Sequence, residues 1–546
     1  MAEAIFESQA RSTRIRSEVA RDIVTMAGLF TGLSLAYWLV VALFCGGRGF
    51  PLDDAFIHLQ FARNLLNDGQ MAFNPGVPSS GSTAPLYPMV LAAVHWLVRD
   101  WYVAAYVLGS VCSFGTTLVA YGIIRSWTGR GDLARWAGLL TVIMTPTVVQ
   151  AYSGMEAAAY SLLFMIALWC YGSPGRRILA SGLLAAGIWL RPEFMVLLPV
   201  VIFERWVALY RQGSRRPGPF LLGALPHVAV WAVVVLLYVA YHWHQDHHLL
   251  PSTFAAKFVA PGIARPEWLD SVPAALRRGH LLHLLLALTI WPFMGLVLAG
   301  VGIGINCAPV GFGIREALGA LWRCDGPLAS GWRFALLSLI GYPYLRGFVD
   351  SLGGMWFQQQ RYYALITPLA IVVIIGAIPL TGVLLNRPWW SWKGVPLRVQ
   401  MRRTFVWAGL CTLVMGAIAA ISVSNINSMQ VPIGHWVREN TTEDQLIATN
   451  DIGAIAFVGQ RRILDTVGLV EPDVVEHLIA NGGLLGYLQQ RDPAYVIIFP
   501  TWYEDLSKRT DMLQVVKEFP LDFNVVCGGP TMVVYRPRWN DVGVDY

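Results

Sequence analysis

The chain has 546 residues, of which 55% are hydrophobic and only 14% charged, with a mean hydropathy of +0.51. A water-soluble globule of that composition would lack the polar surface to cover itself, so the bulk of the chain belongs in lipid. The net charge of +6 is spread as Lys and Arg over short loops, which excludes a nucleic-acid face, and seven cysteines without CxxC spacing support neither a metal cluster nor a disulfide framework.

Taken in chain order, the first apolar run, Ile23 to Phe44, is long enough to span a bilayer and has no small-residue cleavage site behind it. It reads as a signal anchor. Further runs at about 102–124, 134–151, 156–171, 178–191, 193–209, 219–243, 281–306, 332–349, 362–385 and 404–423 bring the candidate crossings to eleven. The run from Ala84 to Val98 would reach only about 22 Å as a helix, against a hydrocarbon core of roughly 30 Å, and is predicted as a juxtamembrane helix.

Basic residues sort by side. Arg125, Arg130 and Arg135, then Arg176 and Arg177, then Arg205, Arg211, Arg215 and Arg216, and finally Arg387, Lys393, Arg398, Arg402 and Arg403 fall in alternate loops. The positive-inside rule places these in the cytoplasm with the Arg-bearing N-terminus, and eleven crossings then put the C-terminal tail outside. Arg277 and Arg278 fall on the outer side and run against the pattern.

The reading is a polytopic α-helical membrane domain over residues 1–424 and a soluble extracytoplasmic α/β domain over residues 425–546. In the latter, Leu446–Thr449, Ile463–Leu464, Tyr495–Phe499, Asn524–Val526 and Met532–Tyr535 are predicted strands. Val474–Ala480 and Ser507–Phe519 supply helical periodicity.

Polar chemistry collects in the outer segments. The first outer loop opens with Asp53-Asp54 at the head of a helical pattern running to Asn64. Asp is a favoured N-cap, so capping competes with a role as base or metal ligand. His242, His244, His247 and His248 cluster near the end of the 219–243 run, where His244 and His248 have the i, i+4 spacing that can hold a metal on a helix. No acidic ligand accompanies them at that spacing.

Asp53-Asp54-Ala55-Phe56-Ile57, Ala62-Arg63-Asn64, Phe73-Asn74-Pro75-Gly76 and Gly81-Ser82-Thr83-Ala84-Pro85-Leu86-Tyr87 together resemble the first outer loop of the GT-C glycosyltransferases that use polyprenyl-phosphate donors. The likeness continues through Ser153-Gly154-Met155-Glu156, Arg191-Pro192-Glu193, Leu250-Pro251-Ser252-Thr253-Phe254-Ala255-Ala256-Lys257 and Gln360-Arg361-Tyr362. Asn450-Asp451-Ile452-Gly453-Ala454-Ile455 and Leu464-Asp465-Thr466-Val467-Gly468-Leu469 resemble the soluble domain of the same group. The mycobacterial arabinofuranosyltransferases and their bacterial relatives are most similar, although Ser79 to Ala84 lacks the acidic residue and the Asn of that branch, which leaves the sugar open.

The resemblance implies transfer of a sugar, a pentofuranose such as arabinofuranose in the most similar branch, from a polyprenyl-phosphate donor to a glycan, lipid or protein acceptor outside the cytoplasmic membrane of a bacterium. Inversion is the implied outcome. Asp53 is the implied base and Asp54 its partner or a ligand for a divalent cation. Arg191, Lys257 and Arg361, with Glu156, Glu193 and Tyr362, line the implied donor site. For Arg191 and Arg361 the competing reading is snorkelling toward headgroups, for Glu156 and Glu193 solvation at a helix end, and for Lys257 simple solvation. Competing functions are a transporter or flippase for a lipid-linked substrate, which calls for broken helices in matched halves, and a sensor with a tethered domain.

Overall fold

The computed structural model describes residues 2–214, 216–253, 327–346, 361, 364–385, 391–392, 395–471, 473–475, 477 and 483–539. Lys257, Tyr362, Arg277, Arg278 and the predicted crossing at 281–306 lie outside the described residues, as does most of the predicted helix Val474–Ala480.

The helices are α1 (Ala2–Phe44), α2 (Asp54–Asp68), α3 (Leu86–Val98), α4 (Trp101–Thr128), α5 (Gly131–Ile143), α6 (Thr145–Ala151), α7 (Ala157–Tyr171), α8 (Arg177–Ala186), α9 (Leu197–Arg211), α10 (Pro217–Asp246), α11 (Pro327–Arg346), α12 (Ile366–Leu385), α13 (Leu397–Ser428) and α14 (Gln430–Asn440). Four stretches among the described residues, Thr13–Phe44, Trp101–Thr128, Pro217–Asp246 and Met401–Asn440, are helices long and apolar enough to cross a membrane. In α10, Leu221, Leu222, Leu225, Val233, Leu236 and Leu237 are exposed, a surface that only a hydrocarbon neighbour would leave unpenalised.

Other predicted crossings are shorter or broken. The 134–151 run divides at Met144, whose extended backbone (ψ 138°) separates α5 from α6, with Pro146 in the first turn of α6. The 178–191 and 193–209 runs divide at Arg191-Pro192, where two 3₁₀ turns, Gly187–Trp189 and Pro192–Val196, replace regular helix. Ala84–Val98 forms the short helix α3, as predicted, closed by Arg99 in the left-handed region.

The two ends of the bundle are chemically distinct. At one end Arg135 of α5 donates to Asp22 of α1 at 2.6 Å, Tyr121 of α4 donates to the same carboxylate, and Trp127 of α4 packs on Gly172 and Gly331. At the other, the Cys45 thiol meets the Ala420 carbonyl and the Asn427 amide reaches the Cys45 carbonyl, so α1 and α13 run side by side in the same direction. Arg402 and Arg403, near the start of α13, therefore share the end that holds Arg125 and Arg135. Beneath the first loop at the opposite end, Tyr37, Tyr106, Tyr152, Phe50 and Tyr102 form an aromatic layer with centroids 5.1–5.8 Å apart.

After α14 the chain builds a five-stranded sheet, with β1 (Leu446–Thr449), β2 (Arg462–Asp465), β3 (Tyr495–Ile498), β4 (Leu513–Pro520) and β5 (Thr531–Pro537) in the order β2-β1-β3-β5-β4. β2, β1 and β3 are parallel, and β5 runs antiparallel to β3 and β4. Four of the predicted strands are present. Ser507–Phe519 is not a helix: most of it is β4, a mostly exposed edge strand paired only to β5, whose Val515-Val516 pair suits extended backbone. Asn524–Val526 is a loop, since the Asn524 side-chain oxygen Oδ1 accepts from the Val526 and Cys527 amides in a local turn that competes with ladder pairing.

The sheet docks on the first loop. Asn74 exchanges two hydrogen bonds with the Ile463 backbone, Arg63 donates to the Phe457 carbonyl at 2.8 Å with its guanidinium over the Phe457 ring, and Ser79 donates to the Val470 carbonyl.

Candidate active site

Helix α2 is amphipathic about a buried stripe of Ala55, Phe56, Leu59 and Ala62, and Gly69 in the left-handed region ends it. Asp54 and His58 stand one turn apart on it, a spacing that puts both side chains on one face. His58 Nε2 lies 2.9 Å from Glu156 Oε2, and Arg191 grips the other oxygen of Glu156. Arg191 is also 3.7 Å from Glu193, and Arg361 donates to Asp54 at 2.6 Å.

Local sequence sets these positions. Gly154 has φ +69°, and an added Cβ there would strike Phe50 and Ala55, so only glycine lets the Ser153–Glu156 turn press Glu156 against α2. The break at Pro192 turns Arg191 and Glu193 inward. Tyr160 donates its hydroxyl proton to the Arg361 carbonyl, while its oxygen accepts from the Ala364 amide at 3.2 Å.

Five predicted site residues, drawn from four separated segments, thus form two neighbouring ion-pair groups, Asp54 with Arg361 and Glu156 with Arg191 and Glu193, with the Arg361 guanidinium beside Met155 next to Glu156. Glu156 is 1% exposed, Arg191 4% and Arg361 7%, so neither snorkelling nor helix-end solvation describes them. Lys257 and Tyr362, outside the described residues, are not placed. His58 was not singled out from sequence, although its i, i+4 relation to Asp54 is a signal that could have found it.

Asp53 does not cap its own helix. Its carboxylate instead accepts the Gly453 amide at 2.6 Å and the Ala454 amide at 2.7 Å, from the start of a short helix in the sheet unit, α15 (Gly453–Gly459). Asp451 lies beside it, and the two carboxyls share a hydrogen bond. Burial, and then the neighbouring Asp451, push the Asp53 carboxyl well above the usual carboxylate range, and burial pushes Asp451 up to about 6. Gln430 of α14 donates to Asp451 at 2.6 Å. Nothing in sequence spacing joins Asp53 to a residue almost four hundred positions away.

One of the metal readings loses its premise. Helix α10 ends at Asp246 and His247 turns into the left-handed region, so His248 is off the helix and the i, i+4 premise for His244 and His248 fails. Asp54 faces a guanidinium and Asp53 two amides, and each carboxylate oxygen keeps a further lone pair. Among the described residues no group of three His, Cys, Asp or Glu side chains is placed to hold a metal.

The architecture has known counterparts. ArnT from Cupriavidus metallidurans superposes in its apo state over 96% of this chain and 99% of its own, at 13% identity and a TM-score of 0.50. In the form bound to undecaprenyl phosphate the figures are 95%, 99%, 14% and 0.52. The arabinofuranosyltransferase AftD from Mycobacteria aligns over 93% of this chain and 41% of its own at 14% identity, with a TM-score of 0.39. Residues 423–535 match a domain family of unknown function, DUF8728. No curated protein sequence matches the chain. The chain shares the fold of ArnT.

Proposed function

We propose that the protein is a membrane glycosyltransferase that moves a sugar from a polyprenyl-phosphate donor to an acceptor on the extracytoplasmic side, with inversion at the anomeric carbon. One observation carries the reading: Arg361 reaches Asp54 beside Asp53, so a cation able to receive a departing phosphate stands next to an acidic pair able to take a proton. The GT-C fold, shared with an ArnT bound to undecaprenyl phosphate, supports a lipid phosphate as the leaving group. The sugar is a pentofuranose such as arabinofuranose, a choice that rests on the motif resemblance alone, and the acceptor is a glycan, lipid or protein.

In the reaction, Asp53 takes the proton of the acceptor hydroxyl as that oxygen bonds to the anomeric carbon. The bond from this carbon to the phosphate oxygen breaks, and its electron pair leaves with the polyprenyl phosphate. Its charge is met by Arg361, exchanging Asp54 for phosphate, and by Arg191. A phosphate monoester with a second pKa of about 6 is a good leaving group, so no strong general acid is needed. Two amide donors orient Asp53.

The test is purified protein in lipid nanodiscs supplied with polyprenyl-phosphate sugars, with lipid products read by mass spectrometry. Release of polyprenyl phosphate together with a glycosylated acceptor is expected. Release of none from any pentose or hexose donor, with donor instead moved across the bilayer, overturns the reading in favour of a flippase.

A further inference from the structure

We propose that the sheet unit completes the catalytic centre, with Asp451 acting as a positioning residue for Asp53 in sugar transfer. The inference rests on the transferase reading and gives the C-terminal unit a part in the chemistry.

The Asn450–Ala454 loop is shaped around Asp53. Gly453 and Ala454 each give an amide to one carboxylate oxygen, and Asp451 hydrogen-bonds the same group. A Cβ on Gly453 would fall on the backbone oxygen and carboxylate of Asp53, so side chains are excluded where the two segments touch.

The loop is itself held from three sides. Gln430 donates to Asp451 and also lies 3.3 Å from the Cys527 thiol, the Asp451 amide lies 3.4 Å from Thr449 Oγ1, and Asn450 accepts the Phe499 amide at 3.3 Å.

A joint that only fastened two segments would be better made of neutral groups, because adjacent buried carboxyls repel unless they hold a proton between them. Elsewhere the same interface meets backbone groups with neutral side chains, Asn74 on Ile463 and Ser79 on Val470, or with the Arg63 cation on the Phe457 carbonyl, none of which sets like charges together. Among the described residues the carboxyl pair of this interface is at Asp53, the residue assigned the proton. Besides Asp451, the titratable groups facing Asp53 are Asp54 and Cys527, and Asp54 is committed to Arg361. Asp451 is thus the neighbour that sets the orientation of the Asp53 carboxyl toward an incoming hydroxyl.

Steady-state kinetics on the full-length protein separates positioning from fastening. Asp451→Asn keeps an oxygen for Gln430 and a hydrogen-bonding group for Asp53. Its kcat should fall about tenfold or more, with acceptor KM and donor-lipid affinity within about twofold of wild type, the pattern of an interaction made in the transition state. Asp451→Ala should fall further, and Asp451→Asn should recover part of that loss. Asn74→Ala, which loosens the same interface away from Asp53, should keep kcat within about twofold. Equal losses in Asn74→Ala and Asp451→Asn, or wild-type kcat in Asp451→Asn, would overturn the positioning role while leaving the transferase reading intact. Absence of transfer by the wild type itself overturns both.

Discussion

Removing the guanidinium of Arg361 separates a binding role from a structural one. The side chain is 8% exposed and donates to an Asp54 carboxylate that is 34% exposed, so the pair is buried on one side and open on the other. An ion pair with one partner that open contributes about 1 kcal/mol or less to folding, because water screens the carboxylate that remains. Meeting a lipid phosphate at this site is different. Truncating one partner of a buried, charge-assisted contact costs about 2–5 kcal/mol in affinity. At about 1.4 kcal/mol per tenfold, that is roughly 30- to 4000-fold weaker binding. Arg361→Ala should therefore bind undecaprenyl phosphate at least about thirtyfold more weakly, measured by ligand-induced thermal shift in detergent, with a ligand-free melting temperature within a few degrees of wild type. Arg361→Lys should recover part of the affinity, since a point charge replaces the fork. Wild-type affinity in Arg361→Ala, or a melting temperature that falls as steeply as affinity does, would refute the reasoning.

Three further outcomes follow from the same geometry. Asp53→Asn keeps only one oxygen for two amides and cannot take a proton, so transfer should fall by about a hundredfold or more while donor binding stays near wild type; turnover of purified protein checks it. Glu156→Gln removes the nearer of the two carboxylates beside buried Arg191, leaving Glu193 at 3.7 Å, and should destabilise the bundle by up to about 3–5 kcal/mol, seen as a lower melting temperature and reduced folded yield. In the sheet unit, burial raises Asp465 to about 6 and Glu471 to about 7, so both bind protons more tightly folded than unfolded. The stability they contribute is present below the unfolded values near 4 and is lost as pH rises toward 7, at up to about 1.4 kcal/mol per pH unit for each group. The denaturation midpoint of this unit should fall across that window; a midpoint that rises would reverse the sign and discard the assignment.

Hydropathy alone was enough to find α1, α4, α10 and α13, because a bilayer imposes a length and an all-round apolar composition that local sequence must satisfy by itself. The same holds for α3, too short to span, and for β1, β2, β3 and β5, whose apolar runs are bounded by turn residues. Breaks inside apolar runs were less visible. Met144 and the Arg191-Pro192 step interrupt helices that hydropathy leaves continuous, since a window average does not register a dihedral angle.

Within the site, residue identity marked Asp53, Asp54, Glu156, Arg191, Glu193 and Arg361, yet each stood with an unremarkable alternative, because a carboxylate at a helix head is the same sequence signal whether it caps or reacts. Only tertiary structure decides between them: Asp53 gives its oxygens to amides at 453–454, Asp54 pairs with Arg361, and His244 and His248 lose their common helix at a left-handed turn. Asp451 could not have been assigned beforehand, since its significance lies in contact with Asp53 across almost the whole chain. Hydrophobicity and turn preference act over a few residues and are written locally, whereas a shared proton or a salt bridge depends on distances that exist only after the chain has closed.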